Sequence, residues 1–195
     1  MHRILHRVNT IDMLIRTPRE LGVEIDIRSN NENLFLHHDP FANGQLLEEW
    51  LTHYQHGILI LNVKEEGLEN RILELMKKYS IHNYFFLDQS FPFLRKTAFE
   101  GESRCAVRVS EYEDINTALS LTGMVKWVWV DCFTSFPLNI EQANKLRAAG
   151  FRLCFVSPEL QGYTEHNYVK KFRKNIELLG IRGDAVCTKY PDLWG

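Results

Sequence analysis

Apolar residues recur along the chain with two periods that take turns. Runs at about 3–8, 22–28, 57–63, 83–88, 104–110, 124–131, 151–157 and 184–188 are short and rich in Val, Ile, Leu, Phe and Trp, the pattern of β-strands. Between them the spacing opens to three and four residues, the period of a helix with one apolar face. In 45–55, Leu46, Leu47, Trp50, Leu51 and Tyr54 fall on one side; in 69–79, Ile72, Leu75, Met76 and Tyr79 do; in 167–179, Phe172, Ile176 and Leu179 do. Asn139 and Gln142 have the spacing of a reciprocal helix N-cap, and Gly150 and Gly180 stand where helices stop. Eight strands, each but the last followed by a crossover, predict a parallel α/β architecture spanning 1–195 as a single domain. Periodicity fits a (β/α)8 barrel and a doubly wound open sheet equally well.

Parity within the strands adds chemistry. Successive side chains alternate faces, so Val23, Ile25 and Ile27 share one face and Glu24, Asp26 and Arg28 the other. Leu59, Leu61 and Val63 likewise oppose Ile60, Asn62 and Lys64. Val107 and Val109 oppose Arg108 and Ser110, and Val128 and Val130 oppose Trp127, Trp129 and Asp131. One face is aliphatic, suited to packing under helices. The other turns polar toward the strand ends, where a barrel would carry its chemistry.

Composition narrows the function classes. A net charge of −2 gives no broad basic field, so no nucleic-acid partner is expected. Ile4 and Leu5 are followed at once by His6 and Arg7, unlike a secretory leader, and no apolar run approaches the roughly 20 residues of a membrane span. Cys105, Cys132, Cys154 and Cys187 fall singly, without a CxxC pair, and read as buried reduced thiols. A cytoplasmic protein with no membrane partner is expected.

Glu24 and Asp26, two apart on one strand face, repel each other unless a cation lies between them, and oxygen pairs of this kind suit Mg2+ or Ca2+. A solvated strand face is the plainer alternative. His38 closes the run Leu34–Phe35–Leu36–His37–His38–Asp39–Pro40 after turn-forming Asn30 and Asn31, and an imidazole there suits proton transfer, though a surface His-His pair is as common. His6 and Arg7 end the first strand and Lys64 the third; Arg and Lys bind phosphate oxygens, or face water as ordinary strand-end charges. Arg28, Arg108, Trp129 and Asp131 join the polar face as candidates for substrate contact. The loop Ser157-Pro-Glu-Leu-Gln-Gly162 after the seventh strand is placed for binding.

Taken in order, His6–Arg7, then Gly22-Val-Glu24-Ile-Asp26, then His38–Asp39, then an aliphatic strand ending in Lys64, resembles the glycerophosphodiester phosphodiesterase family. Ser90–Phe91 and the stretch Gly183-Asp-Ala-Val-Cys-Thr-Lys-Tyr-Pro191 extend the resemblance to the whole chain. It implies a (β/α)8 barrel with His6 and His38 as acid and base. It implies Arg7 and Lys64 on the phosphate, to which strand parity adds the lumen-facing Arg108 as a candidate, and a divalent cation, Mg2+ or Ca2+, held by Glu24, Asp26 and the residue at Asn62. The substrate class it implies is a small glycerophosphodiester-like or sugar-phosphate diester.

Four departures stand beside it. Asn62 replaces the family's third-strand Glu, which lowers the expected affinity for a metal. Val8 replaces the glycine after the His-Arg pair, and Lys189 stands where the family often has Asp. No long insertion walls a pocket. Two other functions therefore accompany metal-dependent hydrolysis: an altered barrel that binds a phosphorylated metabolite, and a metal-independent lyase that uses His6, His38, Arg7 and Lys64.

Overall fold

The computed structural model describes residues 1–30 and 32–195. Ten strands appear in chain order: β1 (His2–Leu5), β2 (Gly22–Ser29), β3 (Leu34–Leu36), β4 (Gln45–Leu46), β5 (Leu59–Val63), β6 (Tyr84–Leu87), β7 (Ala106–Val109), β8 (Trp127–Val130), β9 (Arg152–Val156) and β10 (Ala185–Thr188). Seven α-helices accompany them among the described residues: α1 (Ile11–Arg16), α2 (Leu47–Leu51), α3 (Glu69–Lys78), α4 (Phe91–Phe99), α5 (Ile115–Leu119), α6 (Ile140–Ala148) and α7 (His166–Leu178). All eight expected strands are present. Parallel pairing runs β1–β2–β5–β6 on one side and β1–β10–β9–β8–β7 on the other. A single bridge, Phe86 to Cys105, joins the ends at the β6–β7 seam. The sheet thus closes into a (β/α)8 barrel, and the open-sheet alternative falls.

Register shows which residues fill the lumen. Glu24 pairs with Ile60 and Asp26 with Asn62 across β2 and β5, while Arg108 pairs with Trp129 across β7 and β8. Neighbours in a parallel ladder point to the same side, so the face carrying Glu24 and Asp26 is the inner one. Its lower layers are apolar: Ile4, Ile60, Phe85 and Trp127 are at most 2% exposed, and the Phe85 and Trp127 rings stack at 4.6 Å. Gly22 lies on this floor, where a Cβ would come within 2.6 Å of the Ile58 carbonyl and 2.9 Å of Ile4. Only glycine lets β1, β2 and β5 approach so closely. The aliphatic faces pack outward, Val23, Ile25 and Ile27 being fully buried.

The helices stop and start for local reasons. Asn139 and Gln142 form the reciprocal cap of α6, and Gly150 and Gly180 take left-handed conformations after α6 and α7. The four cysteines are free and buried. One excursion was not expected. After β2 the chain doubles back through β3 and β4, both antiparallel. The helix expected over 45–55 gives its first two residues to β4 and shrinks to α2. Gly44 packs against Leu36, where a Cβ would lie 2.1 Å from its carbonyl oxygen. Asn30 and Asn33 close the preceding turn on each other; Asn31 lies outside the described residues. No helix among the described residues is long and apolar enough to cross a membrane.

Candidate active site at the barrel mouth

The expected residues meet at the C-terminal ends of β1, β2 and β5. His6 follows β1, its amide bonded to the Thr188 carbonyl of β10 at 3.0 Å. Arg7 then adopts a left-handed φ of 58°, unusual for a long side chain. That turn aims its backbone N–H at Glu24 Oε2, 2.7 Å away. Trp50, buried on α2, donates its indole N–H to the Val8 carbonyl at 3.0 Å and fixes the turn from outside. Asn9 then brackets Asp26: its Nδ2 donates to Oδ2 at 2.8 Å, and its Oδ1 accepts from the Asp26 amide at 2.9 Å.

Both carboxylates are almost sealed from water, Glu24 at 1% and Asp26 at 0% exposure. Asp26 faces cations: Lys64 Nζ lies 3.2 Å from Oδ1, and Arg7 Nε 3.8 Å from Oδ2. Among the described residues Glu24 meets no Lys or Arg side chain in an ion pair. Burial, reinforced by Asp26, pushes its carboxyl up to about 7, against the pull of the Asn62 amide and the Arg7 N–H. His6 moves the opposite way. Burial, then the Arg7 guanidinium, then Lys189 and Lys64 push its imidazole down to about 3, with Asp26 opposing. His6 Nε2 stands 3.8 Å from Glu24 Oε2. The imidazole is thus biased toward its uncharged form and the carboxyl beside it toward holding its proton.

The other expected residues lie further round the mouth. His38 is partly exposed, and its Nδ1 lies 2.8 Å from Asp39 Oδ1. Its loop is stitched to β2, because His37 N–H donates to the Asp26 carbonyl at 3.1 Å and Arg28 donates twice to the His38 carbonyl. His38 makes no hydrogen bond to His6 or Glu24 among the described residues. Arg108 pairs with Asp88 and stands 3.8 Å from Asp131. Asp88 also meets Lys64 at 3.4 Å, so Arg108 is linked to the carboxylate pair through two intervening side chains. Trp129 is buried in the lumen. In the loop after β9, Glu159 turns inward, accepting from Ser157, Thr188 and the Lys189 amide, while Gln161 donates to Asp131 at 2.6 Å.

Glu24, Asp26 and Asn62 do come together, but they do not fit the expected Mg2+ or Ca2+. Hard cations need several oxygens converging. Asn62 instead points its NH2 at Glu24 Oε1, 2.9 Å away, and its Oδ1 is buried without a hydrogen-bond partner. Turning the amide over would set that oxygen against a carboxylate oxygen. Asp26 Oδ1 already faces the Lys64 ammonium. No group of three His, Cys, Asp or Glu among the described residues could hold a metal ion. In this structure Glu24 and Asp26 are held instead by the Arg7, Asn9 and Asn62 N–H groups, with Lys64 as the nearest cation to Asp26.

Asn9 and Asp88 were not foreseen as site residues. Asn9 sits just two positions past Arg7, but its bracketing of Asp26 depends on the left-handed turn at Arg7, which no sequence pattern announces.

No family model matches the sequence, and no curated protein does. Solved structures do share its fold. A glycerophosphodiester phosphodiesterase from Agrobacterium tumefaciens superposes with a TM-score of 0.69, covering 99% of this chain and 98% of that one at 13% identity. A glycerophosphoryl diester phosphodiesterase from Parabacteroides distasonis gives 0.63 over 98% of this chain and 84% of that one, at 14% identity. A mutant tryptophan synthase alpha-subunit from Pyrococcus furiosus gives 0.54 over 97% and 87%, at 12% identity. At such identities the likeness speaks for the fold alone, a (β/α)8 barrel that this chain shares with those enzymes.

Proposed function

We propose that the chain cleaves a small phosphodiester at this mouth, using its own side chains for charge and proton transfer rather than a resident metal. The observation that carries the reading is the pair of half-buried His6 and buried Glu24, 3.8 Å apart, with Arg7, Lys64 and Lys189 acting on the imidazole. Of these cations, Arg7 and Lys189 are exposed and free to meet a ligand. A phosphate between them would bring negative charge to His6 and raise its proton affinity, coupling substrate binding to acid–base competence.

Two groups in contrasting surroundings divide the proton work. His38, its ring oriented by Asp39, takes the proton of the attacking hydroxyl as the new P–O bond forms. The His6–Glu24 pair returns a proton to the departing alcohol oxygen as the old P–O bond breaks. Arg7 and Lys189 hold the charge on the phosphoryl oxygens. The fold shared with phosphodiesterases supports the reaction class, and the four buried free thiols support a cytoplasmic setting.

A second reading has its own observation. Lys64 and Arg108 are committed to Asp26, Asp88 and Asp131, which suits a barrel that binds a phosphorylated metabolite without turning it over. Release of alcohol from bis(p-nitrophenyl) phosphate and a panel of glycerophosphodiesters separates the two, run with Mg2+, Ca2+, Mn2+ or EDTA. Turnover indifferent to EDTA, and reduced about 10²–10⁴-fold in His38→Ala and Glu24→Gln, is expected. Metal-dependent turnover overturns the metal-free mechanism. A folded protein that binds phosphate but turns over nothing supports the binding barrel.

A further inference from the structure

The β6–β7 seam, held by the one bridge at Phe86 and Cys105, opens above that bridge into a cavity of about 480 Å3. Asp88, just past β6, takes a left-handed φ of 58° and turns the chain away from β7. The cavity is of ligand size. Two aromatic rings reach into solvent on its rim, Phe91 at 48% and Tyr112 at 77% exposure. Asp88, Arg108, Glu113 and Asp114 line the same cavity. Aromatic faces interleaved with carboxylates and a guanidinium match a polyhydroxylated ring: its C–H face stacks on an aromatic, and its hydroxyls bridge the charged groups. A fatty chain would need an apolar trough. A second anion would be repelled by three carboxylates.

A chain of ion pairs links the cavity wall to the phosphate site. Asp88 pairs with Arg108 within the cavity wall and lies 3.4 Å from Lys64, which lies 3.2 Å from Asp26. We propose that this cavity binds the sugar or cyclitol moiety of the diester, with Tyr112 as stacking platform and Arg108 and Asp88 as hydroxyl partners. The inference rests on the phosphodiester reading and gives that substrate its alcohol. It also moves Arg108 from phosphate binding to recognition of the alcohol.

Calorimetry with four probes tests it: inorganic phosphate, glycerol 3-phosphate, phosphocholine and a hexose 1-phosphate. The hexose phosphate is expected to bind at least tenfold tighter than glycerol 3-phosphate. Tyr112→Ala should abolish that gain and leave inorganic phosphate affinity unchanged; Tyr112→Phe, which keeps the ring, should restore it. Tyr112 is exposed, so neither variant threatens the fold. Equal affinity for the hexose and glycerol phosphates, with inorganic phosphate still bound, overturns the sugar subsite and leaves the phosphate reading standing. Tightest binding of phosphocholine overturns it in favour of a cationic alcohol. Failure of every probe to bind removes the phosphate reading and this inference together.

Discussion

Around β1, β2 and β5, two carboxylates almost sealed from water are held by a backbone amide, two side-chain amides and an ammonium. Around β6 and β7, by contrast, Asp88 and Arg108 meet at the wall of a half-open cleft, their side chains 27% and 33% exposed. The same residue types therefore do different work. Where water is excluded, each charge sets the proton affinity of its neighbours. Where water enters, ion pairs contribute little to stability and remain available to a ligand.

The largest expected effect tests this contrast directly. Asp26→Ala takes from Lys64 its nearer carboxylate and from the Asn9 NH2 its buried acceptor, and should destabilise the protein by about 3 kcal/mol. Asp88→Ala should cost about 1 kcal/mol or less. Urea titrations of the two variants decide it; equal losses would erase the distinction between the two regions.

A pH series sharpens the comparison further. Glu24 has a folded pKa of about 7, above its unfolded value of 4.5, so its contribution is full below 4.5 and is lost as pH rises through 7. His6 has a folded pKa of about 3, below its unfolded 6.5, so its contribution is full above 6.5 and is lost as pH falls toward 3. Between about 4.5 and 6.5 folding moves a proton from His6 to Glu24, and the pair adds no pH slope. Glu24→Gln, which cannot ionise, should gain about 2–3 kcal/mol relative to wild type between pH 5 and pH 8. A constant difference across that range would show that Glu24 does not titrate there.

A smaller effect is expected from Glu111, on the open side. Its carboxylate accepts from the Phe133, Thr134 and Ser135 amides and the Thr134 hydroxyl, tying the loop after β7 to the loop after β8. Burial raises its pKa, but these bonds outweigh that and hold it at about 2. Its stabilisation is present above the unfolded 4.5 and lost as pH falls toward 2. After discounting for solvent screening, Glu111→Gln should cost about 1 kcal/mol at pH 7. Thermal melts at pH 7 and pH 3 should show the gap narrowing in acid.

The smallest change in stability accompanies Lys189→Met, at an exposed position. It should nonetheless move the His6 titration upward, because Lys189 is one of the cations holding it down. NMR of the His6 ring reads this shift, and an unmoved titration would take Lys189 out of the site.

Much of this barrel could be read directly from the chain, because alternation with a period of two already put Glu24, Asp26 and Arg28 on one face. Closure could not be read that way. It depends on β1 meeting β10, a pairing between residues such as Arg3 and Val186 at opposite ends of the chain, which no local pattern encodes. The β3–β4 excursion escaped because Leu34–Leu36 is too short to show a period. Within the site, Asn62 was visible as a change of residue type. Its consequence, an NH2 turned toward Glu24 and the loss of a converging oxygen, appears only once register sets the two side by side.

The lone bridge at the β6–β7 seam also has a kinetic meaning. Elsewhere each barrel strand is laced to its neighbours on both sides, so local opening breaks several backbone hydrogen bonds at once. At the seam it breaks the fewest. Proteins open first where bonds are sparse, and amides around Cys105 and Ala106 should exchange with deuterated solvent ahead of those in β2 and β5. A ligand seated in the cleft would slow that exchange, so the least protected segment of the barrel would also report most sensitively on its occupant.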